Sequence, residues 1–239
     1  MALTLNALSD HFGMEASGID LTDSPGDGEL TALRNAFSEH GVLVVREQSL
    51  SPEQMLTAVR VFGELFEQHN KRFALPECPQ IHYIWNQDRY PDGRRYVPGA
   101  GYHTDHSNDR VPPKATVLHA VKLPSAGGDT QFVDMCGAYE ALPEDMRSRI
   151  DPLMAVHVYQ SRHSERKLVP LDAKRASEVP DEVIHPLVRT HPENGRRALY
   201  LNPIRIDRIV ELEEQAERFR HERGKTLKDF YKFDPPPHG

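Results

Sequence analysis

YHTDHSNDRVPPKATVLHAVKLPSAGGDTQF, residues 102–132, joins a dense cluster of ligand-type side chains to an apolar run and a glycine turn. In extended backbone, residues two apart share a face, so His103 and Asp105 converge while His106 points away. One imidazole and one carboxylate on one face are two-thirds of a 2-His-1-carboxylate site, which leaves positions open on Fe(II). Alone, such a tripeptide is also what a polar loop contains by chance. The HTDH run equally offers His103, Asp105 and His106 to a zinc or dinuclear hydrolase site. That reading leaves the rest of the stretch unexplained. ATVLHAVKL (115–123) reads as a buried strand. PSAGGD supplies turn chemistry, and DTQFVDM (129–135) reads as the next strand.

On either side the texture is consistent with a β core. Before it, ELTALRNAFSEH (29–40) places Leu30, Leu33, Ala36 and Phe37 at helical spacing, with Gly41 as the stop. GVLVVREQ (41–48) follows as a short strand. Ser51, Pro52 and Gln54 then form a capping box with proline at the first helical position, opening a second helix. IHYIWN (81–86), VIHPLVRTH (183–191) and RRALYLN (196–202) are strand-like, and Asn194-Gly195 between the last two predicts a hairpin. GAYEALPEDMRSRI (137–150) and a charged run from about Glu211 read as helices. The expectation is one α+β domain over 1–239: a mostly β jelly roll, or double-stranded β-helix, with helices packed outside.

Bulk properties exclude several classes. The chain has 239 residues, a formal net charge of −7 and a pI near 6.0, which argues against a nucleic-acid partner. No apolar run is long enough to span a bilayer, and the N-terminus lacks a basic leader, so neither a membrane nor a secretory route is expected. Cys78 and Cys136 have no metal-binding spacing, and a reducing cytoplasmic setting follows.

The opening stretch resembles the core motif of the TauD/TfdA family of Fe(II)- and 2-oxoglutarate-dependent dioxygenases: an HxD, an apolar strand, then Leu-Pro-x-x-GGDT and an aromatic residue. VDMCGAYEALPEDMR, HPLVRTHPENGRRALYLNP and GVLVVREQSLSPEQMLTAVRVFGEL resemble the family's following helix, later hairpin and N-terminal strand and helix. The likeness runs from near residue 3 to about residue 210. It implies oxidation of a small organic substrate coupled to decarboxylation of 2-oxoglutarate to succinate, with O₂ as the second co-substrate. It also implies His103 and Asp105 as Fe(II) ligands and Thr130 as the hydroxyl that holds the 2-oxoglutarate carboxylate. His69, just after FGEL, lies close to where sulfonate-using members place a substrate histidine. The asparagine that taurine-using members carry before the HTD has no counterpart, since PGAGY (98–102) stands there. Asp105 also sets the chain apart from halogenating relatives, which have a small residue at that ligand position.

The resemblance fades after PIRIDRIVELEE. The family's distal W-D-N-R-x-x-x-H segment, which supplies the third iron ligand, and the arginine beyond it have no match; the single tryptophan is Trp85. Residues 211–239 form a divergent charged tail. His221 and His238 are the tail histidines that could stand in, and Arg218, Arg220 and Arg223 are the tail cations. The expected fold is therefore a jelly roll incomplete at its C-terminus. Oxygenase activity is expected to be impaired, and open sheet edges favour a homo-oligomer. The main alternative is a catalytically defective dioxygenase-like protein that binds metal or serves as an assembly partner.

Overall fold

The computed structural model describes residues 2–211 except 24, 67–70, 72, 86, 88, 90–92, 94–98, 100 and 172. His69 and the whole tail, with His221, His238 and its three arginines, lie outside the described residues. Among the described residues no helix is long and apolar enough to cross a membrane.

The N-terminal third forms one small layer. β1 (Thr4–Ala7) pairs antiparallel with β2 (Met14–Ser17), and β2 pairs parallel with β3 (Leu43–Val45). The parallel crossover is α1 (Asp27–His40), which buries Leu33 and Ala36 and ends at Gly41, whose N–H is donated to the Phe37 carbonyl. Ala16, Ile19 and Leu33 form the centre, with Leu5, Leu43, Val45 and Phe62 packed around it. α2 (Pro52–Val59) starts as its sequence dictates. Gln54 donates its backbone N–H to Ser51 Oγ at 3.2 Å, and Ser51 donates its own to Gln54 Oε1 at 2.8 Å.

The C-terminal half holds the second layer. α3 (Met135–Glu140) and α4 (Glu144–Ile150) lead into β4 (Leu153–His157). After α5 (Ala173–Glu178), β5 (Val183–Pro186) and β8 (Ile206–Glu211) flank β4, both antiparallel. β6 (Val188–Thr190) and β7 (Arg197–Leu199) make the expected hairpin. Gly195 sits in its turn at φ 72°, a conformation that costs a residue with a Cβ. Asn194 donates from Nδ2 to the Ser38 carbonyl at 2.6 Å, docking the hairpin on α1.

Several expectations are corrected. Residues 137–150 are not one helix: Pro143 lacks an N–H and disfavours helical geometry at Leu142, so α3 and α4 separate there. Glu211 lies in a strand, and the charged run expected to be helical beyond it lies outside the described residues. The 183–191 run is two strands broken at Leu187. Residues 81–85 make a single bridge, His82 with Ala74. Residues 115–123 and 129–133 form no strand. A strand exists only through its ladder partner, and among the described residues nothing pairs with this run. Its apolar side chains stay exposed, Leu118 at 63%, Leu123 at 75% and Phe132 at 53%. The described sheets are thus mostly β but do not close into a barrel.

β4 and β5 carry histidines into the interior. His157 is fully buried and His185 nearly so, their rings 5.3 Å apart and both near Tyr200. Burial is the first cause that lowers both, His157 to about 3 and His185 to about 4. Both folded values fall below the unfolded value near 6.5. Stability is therefore full above that value and is lost as pH falls through the window from about 6.5 towards 3. We expect the unfolding free energy from urea titrations, and the midpoint with it, to drop between pH 7.5 and pH 5, by on the order of 1–2 kcal/mol per histidine. A midpoint unchanged over that range would count against neutral buried imidazoles. Leu33→Ala should cost about 2–5 kcal/mol in the same assay at pH 7.5.

Candidate metal centre

His103 and Asp105 face each other, Nε2 to Oδ1 at 3.3 Å. Residues 105–108 form a turn rather than extended backbone, with His106 at φ 51°. Each side chain is held from behind. His103 Nδ1 lies 2.9 Å from the Gly101 carbonyl. A carbonyl only accepts, so Nδ1 carries the proton and Nε2 is left facing the carboxylate. Thr116 donates from Oγ1 to Asp105 Oδ2 at 2.7 Å, which orients the second oxygen.

The pair is electrostatically tense. The hydrogen bond with His103, assisted by Thr116, holds Asp105 at about 2 despite its burial, and the same contact raises His103 above the usual imidazole value. With Nδ1 protonated, a neutral His103 aims its Nε2 lone pair at an anionic oxygen. That arrangement needs a cation between or beside the two atoms, either a proton on Nε2 or a metal ion. Two ligand atoms each about 2.1 Å from an ion and at right angles are about 3 Å apart. The nitrogen and oxygen donors suit Fe(II) or Mn(II), and the carbonyl behind His103 is the outer partner that metal-binding imidazoles commonly have. The residues present therefore fit a divalent ion. Among the described residues no set of three or more His, Cys, Asp and Glu side chains is placed to hold one.

His106 faces the other way, as the spacing predicts. Its Nδ1 is 3.3 Å from Asp109 Oδ2 and its ring is 4.6 Å from that of Phe66. HTDH therefore does not present three donors to one point, which removes the geometric basis of the hydrolase reading.

The turn is clamped from the far end of the chain. Asn202, 1% exposed, donates from Nδ2 to the Thr104 carbonyl at 2.7 Å and to Ser107 Oγ at 3.0 Å. Ser107 Oγ is also 3.0 Å from His157 Nδ1, and His185 donates from Nε2 to the Asp109 carbonyl at 2.9 Å. The loop that carries the candidate ligands thus rests on β4, β5 and the segment after β7. Thr130 is exposed and shares no described contact with His103 or Asp105. Its neighbour Gln131 accepts a hydrogen bond from the Tyr102 hydroxyl at 3.0 Å, so the GGDT segment is tied to the residue before His103. Thr116, Asn202 and the Gly101 carbonyl carry no sequence signal: each acts through a contact that only folding creates.

A cavity of about 630 Å³ is lined by Tyr159, Gln160, Lys167 and Leu168 on one side and Val179 and Pro180 on the other. Arg205 donates from Nη1 to the Tyr159 carbonyl at 2.8 Å, with its guanidinium 5.1 Å from the Tyr159 ring centre.

The sequence profile described as taurine catabolism dioxygenase TauD, TfdA family matches residues 4–225. An α-ketoglutarate-dependent 2,4-dichlorophenoxyacetate dioxygenase from Cupriavidus pinatubonensis is 32% identical over 213 residues, spanning 84% of this chain and 74% of that protein. The crystal structure of a putative α-ketoglutarate-dependent taurine dioxygenase from Burkholderia xenovorans superposes with a TM-score of 0.71 at 31% identity, covering 89% of this chain and 68% of the other. A further structure, AAD-2 in complex with Mn(II) and N-oxalylglycine, gives 0.59 at 25% identity over 85% of this chain and 71% of its own. The chain belongs to the TauD/TfdA family of α-ketoglutarate (2-oxoglutarate)-dependent dioxygenases, oxidoreductases that use Fe(II), 2-oxoglutarate and O₂ and act on small organic substrates.

Proposed function

We propose that this chain oxidises a small organic acid, an aryloxyalkanoate or a sulfonate, at an Fe(II) held by His103 and Asp105. The observation that carries the reading is the His103–Asp105 pair, with its tautomer set by Gly101 and its second oxygen held by Thr116. The bound metal with 2-oxoglutarate supplies an O₂-dependent oxidation. The chain's own part is to hold the ion, orient the co-substrate and shape the pocket. Thr130 is the proposed hydroxyl donor to the 2-oxoglutarate carboxylate, and His69 the weaker substrate contact. The two substrate classes come from the relatives, one named for 2,4-dichlorophenoxyacetate and one for taurine. Other parts of the reading are a single jelly-roll domain in which 115–133 becomes a strand on gaining a partner, a cytoplasmic setting with Cys78 and Cys136 free, and a homo-oligomer.

A second reading, metal binding without turnover, is favoured by the exposed apolar run of 115–133. Succinate formation from 2-oxoglutarate with Fe(II) and O₂ separates the two. Under the first reading the 239-residue chain produces succinate, at a rate well below the roughly ten per second of an ordinary enzyme. Under the second it binds metal and makes none.

Mn(II) titration followed by electron paramagnetic resonance checks the ligands. His103→Ala and Asp105→Ala should lose most of the affinity, and His106→Ala little. Equal affinity in all would sink the assignment. Asn202→Asp keeps the shape but loses the donor to the Thr104 carbonyl. It should weaken metal binding roughly tenfold, the lower end of what outer partners contribute.

A further inference from the structure

Asp105 gives its two oxygens to different partners. Oδ1 lies 3.3 Å from His103 Nε2, and Oδ2 accepts the Thr116 hydroxyl at 2.7 Å. The second distance is that of a charge-assisted bond between a hydroxyl and a carboxylate. A hydroxyl has one proton to donate, and Thr116 spends it on the oxygen other than the one His103 faces. A threonine side chain is stiff about χ1, so the donor stands where its backbone puts it.

Docking of the 115–123 run does not depend on this bond. Thr116 is exposed, and the run around it forms no strand. Just before it, Lys114 forms an ion pair with Glu193 in the β6–β7 turn. Just after it, His119 Nε2 lies 3.3 Å from the Gln48 carbonyl. The run is thus fastened on both sides of Thr116, and an exposed hydroxyl between those ties adds little to stability. What the hydroxyl does control is the carboxylate it touches.

A carboxylate can hold a cation through one oxygen or through both. At an open-sided metal site the second oxygen would occupy a position that co-substrate or O₂ needs. To bind through both, Asp105 must rotate until Oδ2 joins Oδ1 beside the ion, and the bond to Thr116 opposes that rotation. We infer that Thr116 is a positioning residue that restricts Asp105 to one metal-binding oxygen, Oδ1, and so keeps a coordination position free. The inference rests on the proposed metal site.

The test counts the water molecules on bound Mn(II). The 239-residue chain is loaded with Mn(II) in the absence of 2-oxoglutarate. The broadening of the Mn(II) paramagnetic resonance is then measured in water enriched in the magnetic isotope of oxygen. Thr116→Val puts a methyl group where the hydroxyl stands and leaves Oδ2 without that donor. This variant should keep its Mn(II) affinity, well short of the roughly tenfold loss that removal of an orienting partner brings. It should carry one water fewer than the wild type, because Oδ2 takes that place. Thr116→Ser keeps the donor and should keep the wild-type count, and the urea midpoints of both variants should match the wild type. Equal water counts in the wild type and Thr116→Val, or a Thr116→Ser that loses the same water, overturn the inference and leave the metal site standing. A Thr116→Val chain that loses Mn(II) or no longer folds overturns it as well, since Thr116 would then secure the ligand or the fold rather than choose between oxygens. A wild type that takes up no Mn(II) overturns the metal site and the inference with it.

Discussion

The hydrogen bond from Asn202 Nδ2 to the Thr104 carbonyl is the contact on which the site depends. Thr104 stands between the two candidate ligands, in a turn without ladder partners of its own. A turn of this kind keeps its shape only if something outside it satisfies its polar groups. Asn202 does so from 98 residues away, in a fully enclosed position where the alternative to bonding is an unsatisfied amide. Ser107 extends the clamp to His157, and Asp109 extends it to His185. The ligand loop is therefore pinned to the central strand β4 and its neighbour β5, the most enclosed strands described.

This arrangement explains why so many polar groups lie beneath a site that exposes few of them. Ser107, Asn108, Asp109, His157, His185 and Asn202 are all buried, in a layer whose apolar core is small. A hydrophobic floor would hold the loop without direction, whereas hydrogen bonds set where each backbone carbonyl points. The cost is sensitivity to acid, because both imidazoles must stay neutral. Membership of the TauD/TfdA family gives the reason for accepting that cost: an open-sided metal site needs its few protein ligands held accurately, since the remaining positions belong to co-substrate and oxygen.

Charge is distributed with the same logic. Arg162, Arg196, Arg197 and Arg208 of this layer are matched to carboxylates and act as struts between helices, loops and strands. Around the His103–Asp105 pair, Arg205 in the turn after Asn202 and Arg166, close enough to oppose protonation of His103, stand as cations beside the carboxylates of Asp105 and Asp109. Dianionic 2-oxoglutarate, the family's co-substrate, is favoured by cationic groups of this kind.

The local elements were legible in the sequence because their causes are local. Leu33 and Ala36 at helical spacing, the Ser51–Gln54 capping box and the Asn194-Gly195 turn each carry their conformation in neighbouring residues. The i, i+2 spacing of His103 and Asp105 correctly predicts that these side chains meet, although a turn brings them together rather than a strand. The runs at 115–123 and 129–133 show the limit. Their composition is that of strands, but a strand is a pairing between distant segments, and no described partner lies beside them. The strands β4 and β8, the Asn202 clamp and the Thr116 contact were invisible for the same reason. Sequence by itself determined the family, the first two helices and the meeting of His103 with Asp105. Only the tertiary structure decided what holds that pair, because that depends on contacts between residues far apart in the chain.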